Sequence, residues 1–380
     1  MKVSGAWLSD SGAQVLCRAL EGAGHQALFV GGCVRNALMG VSVADLDMAT
    51  DALPEIVSVL AEKAGFRVIP TGLQHGTVTV MADGSPLEVT TFRRDVETDG
   101  RHALVAFAAS VAEDAARRDF TMNALYADRH GMVIDPLGGI LDLRARRVRF
   151  VGDPERRIRE DYLRILRFFR FHALYGDPDG GLDAEGLSAC AALAEGMNQL
   201  SAERVGAEMR KLLAAADPAP AVSAMAQAGV LARILPGADP RALAPLVYLE
   251  GGADPDWLRR LAALGGAELE DRLRLSRAES RNLAAMRDAA GGMESAAALG
   301  WRLGPKRGAD AQLLRAALME QPLPTGWLAA SARGAAAHFP VTAADLMPDL
   351  QGEALGRRLR EIEVRWLASD LTLSRADLLA

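Results

Sequence analysis

Two acidic residues one apart, Asp45 and Asp47, stand downstream of a glycine pair, Gly31-Gly32, in this 380-residue chain. On an extended backbone residues i and i+2 project to one side, so the two carboxylates would share a face. Like charges that close are unfavourable until a cation sits between them. Paired hard oxygens suit Mg2+, above all when phosphate oxygens complete its shell. The glycines point to the phosphate. They follow the apolar run Ala27-Leu28-Phe29-Val30 and precede a helical stretch from Val34 to Met39. Bare backbone amides and a helix N-terminus therefore meet at one place, with Arg35 about one turn further on. Each signal also has a plain reading: a glycine pair can merely join strand to helix, and Asp-x-Asp can end a strand in solvent. Together they favour a metal and phosphate site.

Three further groups could join it. In Leu87 to Phe92, alternation puts Leu87, Val89 and Thr91 on one face and Glu88, Thr90 and Phe92 on the other. Glu88 thus either faces solvent or points into a site. Arg118 precedes a stretch expected to be a helix capped near Asp119, where it can hold phosphate or stand as a solvated charge. Finally, Asp161, Arg164, Arg167 and Arg170 recur every third residue in an otherwise apolar stretch, read as one helix from Glu160 to His172. An acceptor and a donor fork could read a base edge there, with Arg167 and Arg170 on phosphates. The alternative is an internal Asp161–Arg164 ion pair that holds a domain junction.

The elements that must position these groups change character along the chain. Up to about residue 142, short apolar runs alternate with helical spacing. The pattern predicts a helix around Ala13 to Leu20, strands at Ala27 to Val30 and Leu46 to Ala49, and a helix opened by Leu53-Pro54. Thr77 to Met81 and Leu87 to Phe92 read as a hairpin turned at Ala82-Asp83-Gly84-Ser85. Arg93 to Ser110 reads as a loop. Beyond Asp142 only Val148 to Val151 reads as a strand, and the rest is helical. The fold class expected is α+β, a small mixed sheet with helices followed by an all-helical part.

Composition narrows the classes. With 50% hydrophobic and 24% charged residues, wholesale disorder is excluded. Cys17, Cys33 and Cys190 are too far apart for a CxxC site, and the six histidines form no ligand pair. No apolar run approaches the ~18 residues of a membrane span, and the start lacks the pattern of a secretory signal, so a cytoplasmic setting is expected. A net charge of −6 argues against a protein that coats nucleic acid without specificity. Yet residues 144–170 hold ten arginines against four acids, while 206–380 balance at 21 of each. Arg144, Arg146, Arg147 and Arg149 could contact a nucleic-acid backbone or simply form a solvated face.

In order, GGCVRNALMG, DLDMAT, LEVTTFR, RRDFTMNAL, IDPLGGILDL and VGDPERRIREDYLRILRFFRF resemble the tRNA nucleotidyltransferase / poly(A) polymerase family, within the polymerase β-like nucleotidyltransferases. The likeness is close over residues 26–175. It implies a catalytic head (1–142), a helical neck that recognises the base (143–205) and a helical body and tail that bind tRNA (206–380). It implies addition of C, C and A to a tRNA 3′ end from CTP and ATP. A poly(A) polymerase, an enzyme adding only CC or only A, and a catalytically inactive nucleotide- or RNA-binding module are the alternatives. By resemblance, Asp45 and Asp47 hold Mg2+ and Glu88 is the third acid. Gly31, Gly32 and Arg35 meet the triphosphate with Arg118 nearby, Asp161 and Arg164 read the base, and Arg167 and Arg170 complete the pocket. No membrane and no obligatory protein partner are implied. Asn36 and Tyr162 depart from the family pattern, which usually has Asp and Pro there.

Overall fold

Strand β1 (Ala27–Val30) is buried at every position, as its central place in the sheet requires. The computed structural model describes residues 1–72, 76–95 and 105–380. In it β1 lies antiparallel between β2 (Asp47–Thr50) and β8 (Tyr126–Ala127). Beyond β2 come β5 (Ser85–Thr91), β4 (Thr77–Ala82) and β3 (Arg67–Gly72), and β9 (Val133–Ile134) closes the other edge. This is a seven-stranded sheet among the described residues. Only its β2–β5 junction is parallel, and there Asp47 lies opposite Glu88.

Local chemistry accounts for most of these elements. The β4–β5 hairpin turns on Asp83 and Gly84, both at positive φ, the geometry that Asp-Gly favours. Helix α1 (Ser11–Gly22) is capped by Asp10, whose carboxylate accepts from the Ala13 N–H at 2.8 Å, and Gly31 leads into α2 (Gly32–Met39). Helix α3 (Pro54–Lys63) starts on its proline, as expected.

Several expectations are corrected. Arg93 to Ser110 is not one loop: β6 (Arg93–Asp95) pairs with β7 (Val105–Phe107), while residues 96–104 lie outside the described residues. The chain then enters α4 (Val111–Ala116), capped by Ser110. The helix expected near Asp119 is a short 3-10 turn, Thr121–Asn123. Val148 to Val151 is no strand; Phe150 makes a single bridge to Phe120. Around that bridge only two backbone bonds form among the described residues, Thr121 N–H to the Arg149 carbonyl at 2.9 Å and Val151 N–H to the Asp119 carbonyl at 3.0 Å, because the partner segment turns into the 3-10 turn at Thr121. The helix expected over 160–172 is two helices, α6 (Pro154–Glu160) and α7 (Leu163–Tyr175), following α5 (Gly139–Arg144). Asp161 takes an extended conformation (φ −156°) between them, so it does not share a helix face with Arg164.

Helix α7 is fastened by aromatics. Phe120 lies 5.0 Å from both Phe150 and Phe171, and Phe150 stacks on Phe168 at 5.4 Å. Such pairs contribute about 0.5–1.5 kcal/mol each beyond area burial. Tyr162 has φ −61°, a value proline also adopts, and its ring lies where any side chain at Gly196 would clash.

Packing divides the chain into units 1–199 and 200–380. The second is an array of helices joined by turns. Its interior holds Arg259 and Arg260 on Glu250, with Arg259 also on Asp310. Paired in this way, buried charges are tolerated. No helix among the described residues is long and apolar enough to cross a membrane.

Candidate functional site

The turn comes first. Gly31 has φ +69° and ψ −116°, which side chains rarely tolerate, and its N–H bonds to the Leu125 carbonyl at 3.0 Å. That opens α2 at Gly32, leaving its first N–H groups without helical partners beside the turn. Two guanidiniums flank it. The Arg118 Nη1 atom lies 3.6 Å from where a Gly31 Cβ would stand, and Arg35 Nη2 lies 3.8 Å from the same point on Gly32.

Each guanidinium is held differently. Arg118 donates to Asp114 at 2.8 Å and to the Tyr126 hydroxyl at 2.9 Å, which itself donates to Asp114. Burial alone would raise the Asp114 carboxyl, but Arg118 and Arg117 outweigh it and pull it down to about 2. Arg35 is buried at 6% exposure, yet its partners are neutral: Asn123 Oδ1 (2.5 Å), the Tyr175 hydroxyl (2.8 Å) and Asn36 Oδ1 (2.9 Å). Its guanidinium also lies 4.0 Å from the Tyr175 ring centre. Burial lowers its pKa, with Tyr175 and Asp119 opposing. A buried cation without a paired carboxylate is costly, and an anionic ligand would relieve it. Asn36 suits this place because its Nδ2 donates to the Ser42 carbonyl at 3.1 Å, which an Asp could not do.

The carboxylates lie where the start of β2 meets the middle of β5. Asp47 begins β2, half-buried, and Glu88 is its exposed register partner on β5. Asp45 is exposed and precedes the strand, so strand alternation is not what brings it near. Burial raises the Asp47 carboxyl, Glu88 and Asp45 raise it further, and Arg118 opposes them. This is the donor chemistry a divalent cation fits: hard oxygens whose mutual repulsion it would remove. No cluster of three His, Cys, Asp or Glu among the described residues closes into a ready-made shell. Magnesium sites of this sort draw remaining ligands from substrate phosphates and water.

At the α6–α7 break, Asp161 Oδ1 accepts from the Leu163 N–H at 3.1 Å, and Arg164 Nη1 pairs with Glu160 at 2.6 Å. Arg167 pairs with Asp119, whose carboxyl it holds low against burial, and Asp119 also accepts from Asn123 Nδ2 at 2.9 Å. Arg170 lies 4.7 Å from the Phe171 ring centre. Within the basic cluster, Arg147 and Arg149 bind the buried Asp142, while Arg144 and Arg146 are exposed.

Sequence reasoning missed Asp114, Asn123, Tyr126 and Tyr175. Asp114 carries a signal, its i,i+4 spacing to Arg118. Tyr175 carries none, since it meets Arg35 only through the fold.

A glycine turn between two guanidiniums, set beside Asp47 at the start of β2 and its register partner Glu88 within β5, defines a head of the nucleotidyltransferase type followed by helices. Residues 27–149 match the Poly A polymerase head domain, and 182–241 match the probable RNA and SrmB-binding site of polymerase A. The chain is 38% identical over 315 residues to the CCA-adding enzyme of Geobacillus thermodenitrificans, covering 82% of this chain and 71% of that protein. It is 44% identical over 190 residues to the mouse mitochondrial CCA tRNA nucleotidyltransferase 1, covering 50% of this chain but only 44% of that protein. In structure it is similar to the Bacillus stearothermophilus CCA-adding enzyme in complex with CTP. The TM-score there is 0.73 at 31% identity, over 94% of this chain and 93% of that one. The chain belongs to the CCA-adding enzyme family, among the tRNA nucleotidyltransferases and poly(A) polymerases.

Proposed function

We propose that this chain adds C, C and A, without a nucleic-acid template, to the 3′ end of tRNA from CTP and ATP. The observation that carries the reading is a buried Arg35 whose hydrogen-bond partners among the described residues are all neutral, facing the same glycine turn as Arg118. An anionic triphosphate supplies the missing counter-charge. The relatives support the reading: the enzyme of Geobacillus thermodenitrificans is CCA-adding, and the neighbour of known structure was captured with CTP.

In this reading the Gly31-Gly32 amides, Arg35 and Arg118 orient the triphosphate so that its α-phosphorus faces the tRNA 3′-hydroxyl. The hydroxyl oxygen attacks in line as its proton passes to solvent, the bond from the α-phosphorus to the oxygen bridging to the β-phosphate breaks, and pyrophosphate leaves. Mg2+ held by Asp45 and Asp47, with Glu88 as the third acid, would supply charge neutralisation at the reacting phosphate. Arg35 and Arg118 offset charge on the departing phosphates. Asp161 and Arg164, at the break between α6 and α7, present an acceptor and a donor fork to the base edge. Arg170 completes the pocket, as does Arg167 once nucleotide competes for its pairing with Asp119. Head, neck, and body with tail divide the work at 1–142, 143–205 and 206–380, the last engaging tRNA. Three free, buried cysteines agree with a cytoplasmic setting.

The test uses purified protein, tRNA trimmed of its CCA end, and each labelled nucleotide singly. Incorporation of C, and of A only after C, with Mg2+ present and pyrophosphate released, is the expected result. An Asp45→Ala/Asp47→Ala protein that keeps its melting temperature should transfer nothing. Substantial Mg2+-dependent transfer by that folded double variant contradicts the metal assignment.

A further inference from the structure

We infer that Arg157 is a positioning residue that couples base selection at Arg164 to the triphosphate cradle at Arg118, an inference that rests on the nucleotidyl-transfer reading above. Arg157 lies on α6 at 5% exposure. What it holds is the backbone of the cradle. Its Nη2 donates to the Arg118 carbonyl at 3.0 Å and to the Arg117 carbonyl. The Arg118 side chain is fixed separately by Asp114 and Tyr126, which leaves its Nη1 toward Gly31. Arg157 therefore sets the height from which that side chain reaches.

The other end of the same guanidinium meets the base reader. Arg157 Nη1 pairs with Glu160 Oε2, the oxygen that also takes Arg164 Nη1 at 2.6 Å. Arg164 Nη1 donates in addition to the main-chain carbonyl of Arg157 at 2.7 Å, and Arg164 Nη2 reaches the Arg117 carbonyl at 3.5 Å. Arg164 is thus held by Arg157 twice, once through Glu160 and once through its own carbonyl. Arg157 and Arg164 also share the Arg117 carbonyl.

The coupling follows from the shape of the group. A guanidinium is a rigid plane with donors in fixed directions, so it cannot follow a shift at Glu160 without moving against the Arg117 and Arg118 carbonyls. A base that displaces Arg164 would then be felt where the triphosphate is aligned. A lysine keeps the charge but not the plane, and one ammonium cannot span two carbonyls and a carboxylate in that geometry.

The experiment uses the full chain with tRNA trimmed of CCA. It measures kcat and KM for CTP, ATP, UTP and GTP, and melting temperature, in wild type, Arg157→Lys, Arg118→Lys and the double variant. Arg157→Lys should raise KM for CTP and lower the CTP-to-UTP ratio of kcat/KM, each on the order of 10- to 100-fold, as small misplacements at a reacting centre do. Its effect should be non-additive with Arg118→Lys. Glu160→Gln, at a more exposed site, loosens the same link and should lower the same ratio even if Arg157→Lys folds poorly. A lower melting temperature with KM and all four ratios unchanged in Arg157→Lys, or unchanged ratios in Glu160→Gln, overturns the inference. Wild type that transfers no nucleotide to tRNA overturns the reading beneath it as well.

Discussion

Glu88→Gln isolates what the acids cost the fold. Glu88 faces Asp47 in register on the neighbouring parallel strand and its carboxylate makes no hydrogen bond among the described residues, so the substitution removes charge and little else. Adjacent strands are about 5 Å apart. Two unit charges at that range repel by about 0.8 kcal/mol in water and about 3 kcal/mol at an effective dielectric of 20. Glu88 is exposed while Asp47 is half-buried, so screening draws the value toward the lower figure, about 1 kcal/mol. For a unit of 199 residues that corresponds to a rise in Tm of about 2–4 °C. The assay is thermal unfolding of wild type and variant, first in EDTA and then across a Mg2+ titration with CTP present. In EDTA the variant should melt higher. With Mg2+ the wild type should gain more, because on the proposed assignment its intact acid set would bind the cation more tightly, and stabilisation follows ligand affinity. A variant that melts lower in EDTA, or an equal Mg2+ gain in both proteins, refutes the reasoning.

Asp161→Ala should lower discrimination of CTP and ATP against UTP and GTP by about 1–3 kcal/mol in relative kcat/KM, the worth of a good bidentate contact; a lower Tm with unchanged ratios would assign Asp161 to the junction alone. Phe168→Ala, at a position with no exposed surface between Phe120 and Phe150, should cost about 3–5 kcal/mol by denaturant unfolding. The Asp114 carboxyl, about 2 when folded against an ordinary 3.8, contributes stability that is complete above pH 3.8 and lost as pH falls toward 2. That contribution is about 2 kcal/mol, and Asp114→Asn should flatten the stability curve across that window.

Much of the site is legible in the chain because its causes are local. A glycine pair after an apolar run can hardly be other than a strand end, and Gly31 indeed needs its positive φ. Asp-Gly marks the hairpin for the same reason. Glu88 has two readings in the sequence, and its register opposite Asp47 could not be foreseen there, since the parallel β2–β5 pairing joins residues 41 apart. The break at Asp161 was hidden by periodicity. Three-residue spacing continues through it, and nothing in Glu160-Asp161-Tyr162 forbids a helix, so tertiary packing of Tyr162 against Gly196 overrides propensity there. Arg35 and Tyr175 lie 140 residues apart, and Arg157 reaches carbonyls rather than side chains, a kind of contact that leaves no mark in residue types.

The central claim is tested most directly by sequencing the 3′ ends that the purified protein makes on trimmed tRNA with Mg2+ and all four nucleotides present together. The account predicts ends completed to C-C-A and then left alone, with U and G essentially absent. Runs of A would assign poly(A) polymerase activity instead, and unextended ends from folded protein would contradict the account outright.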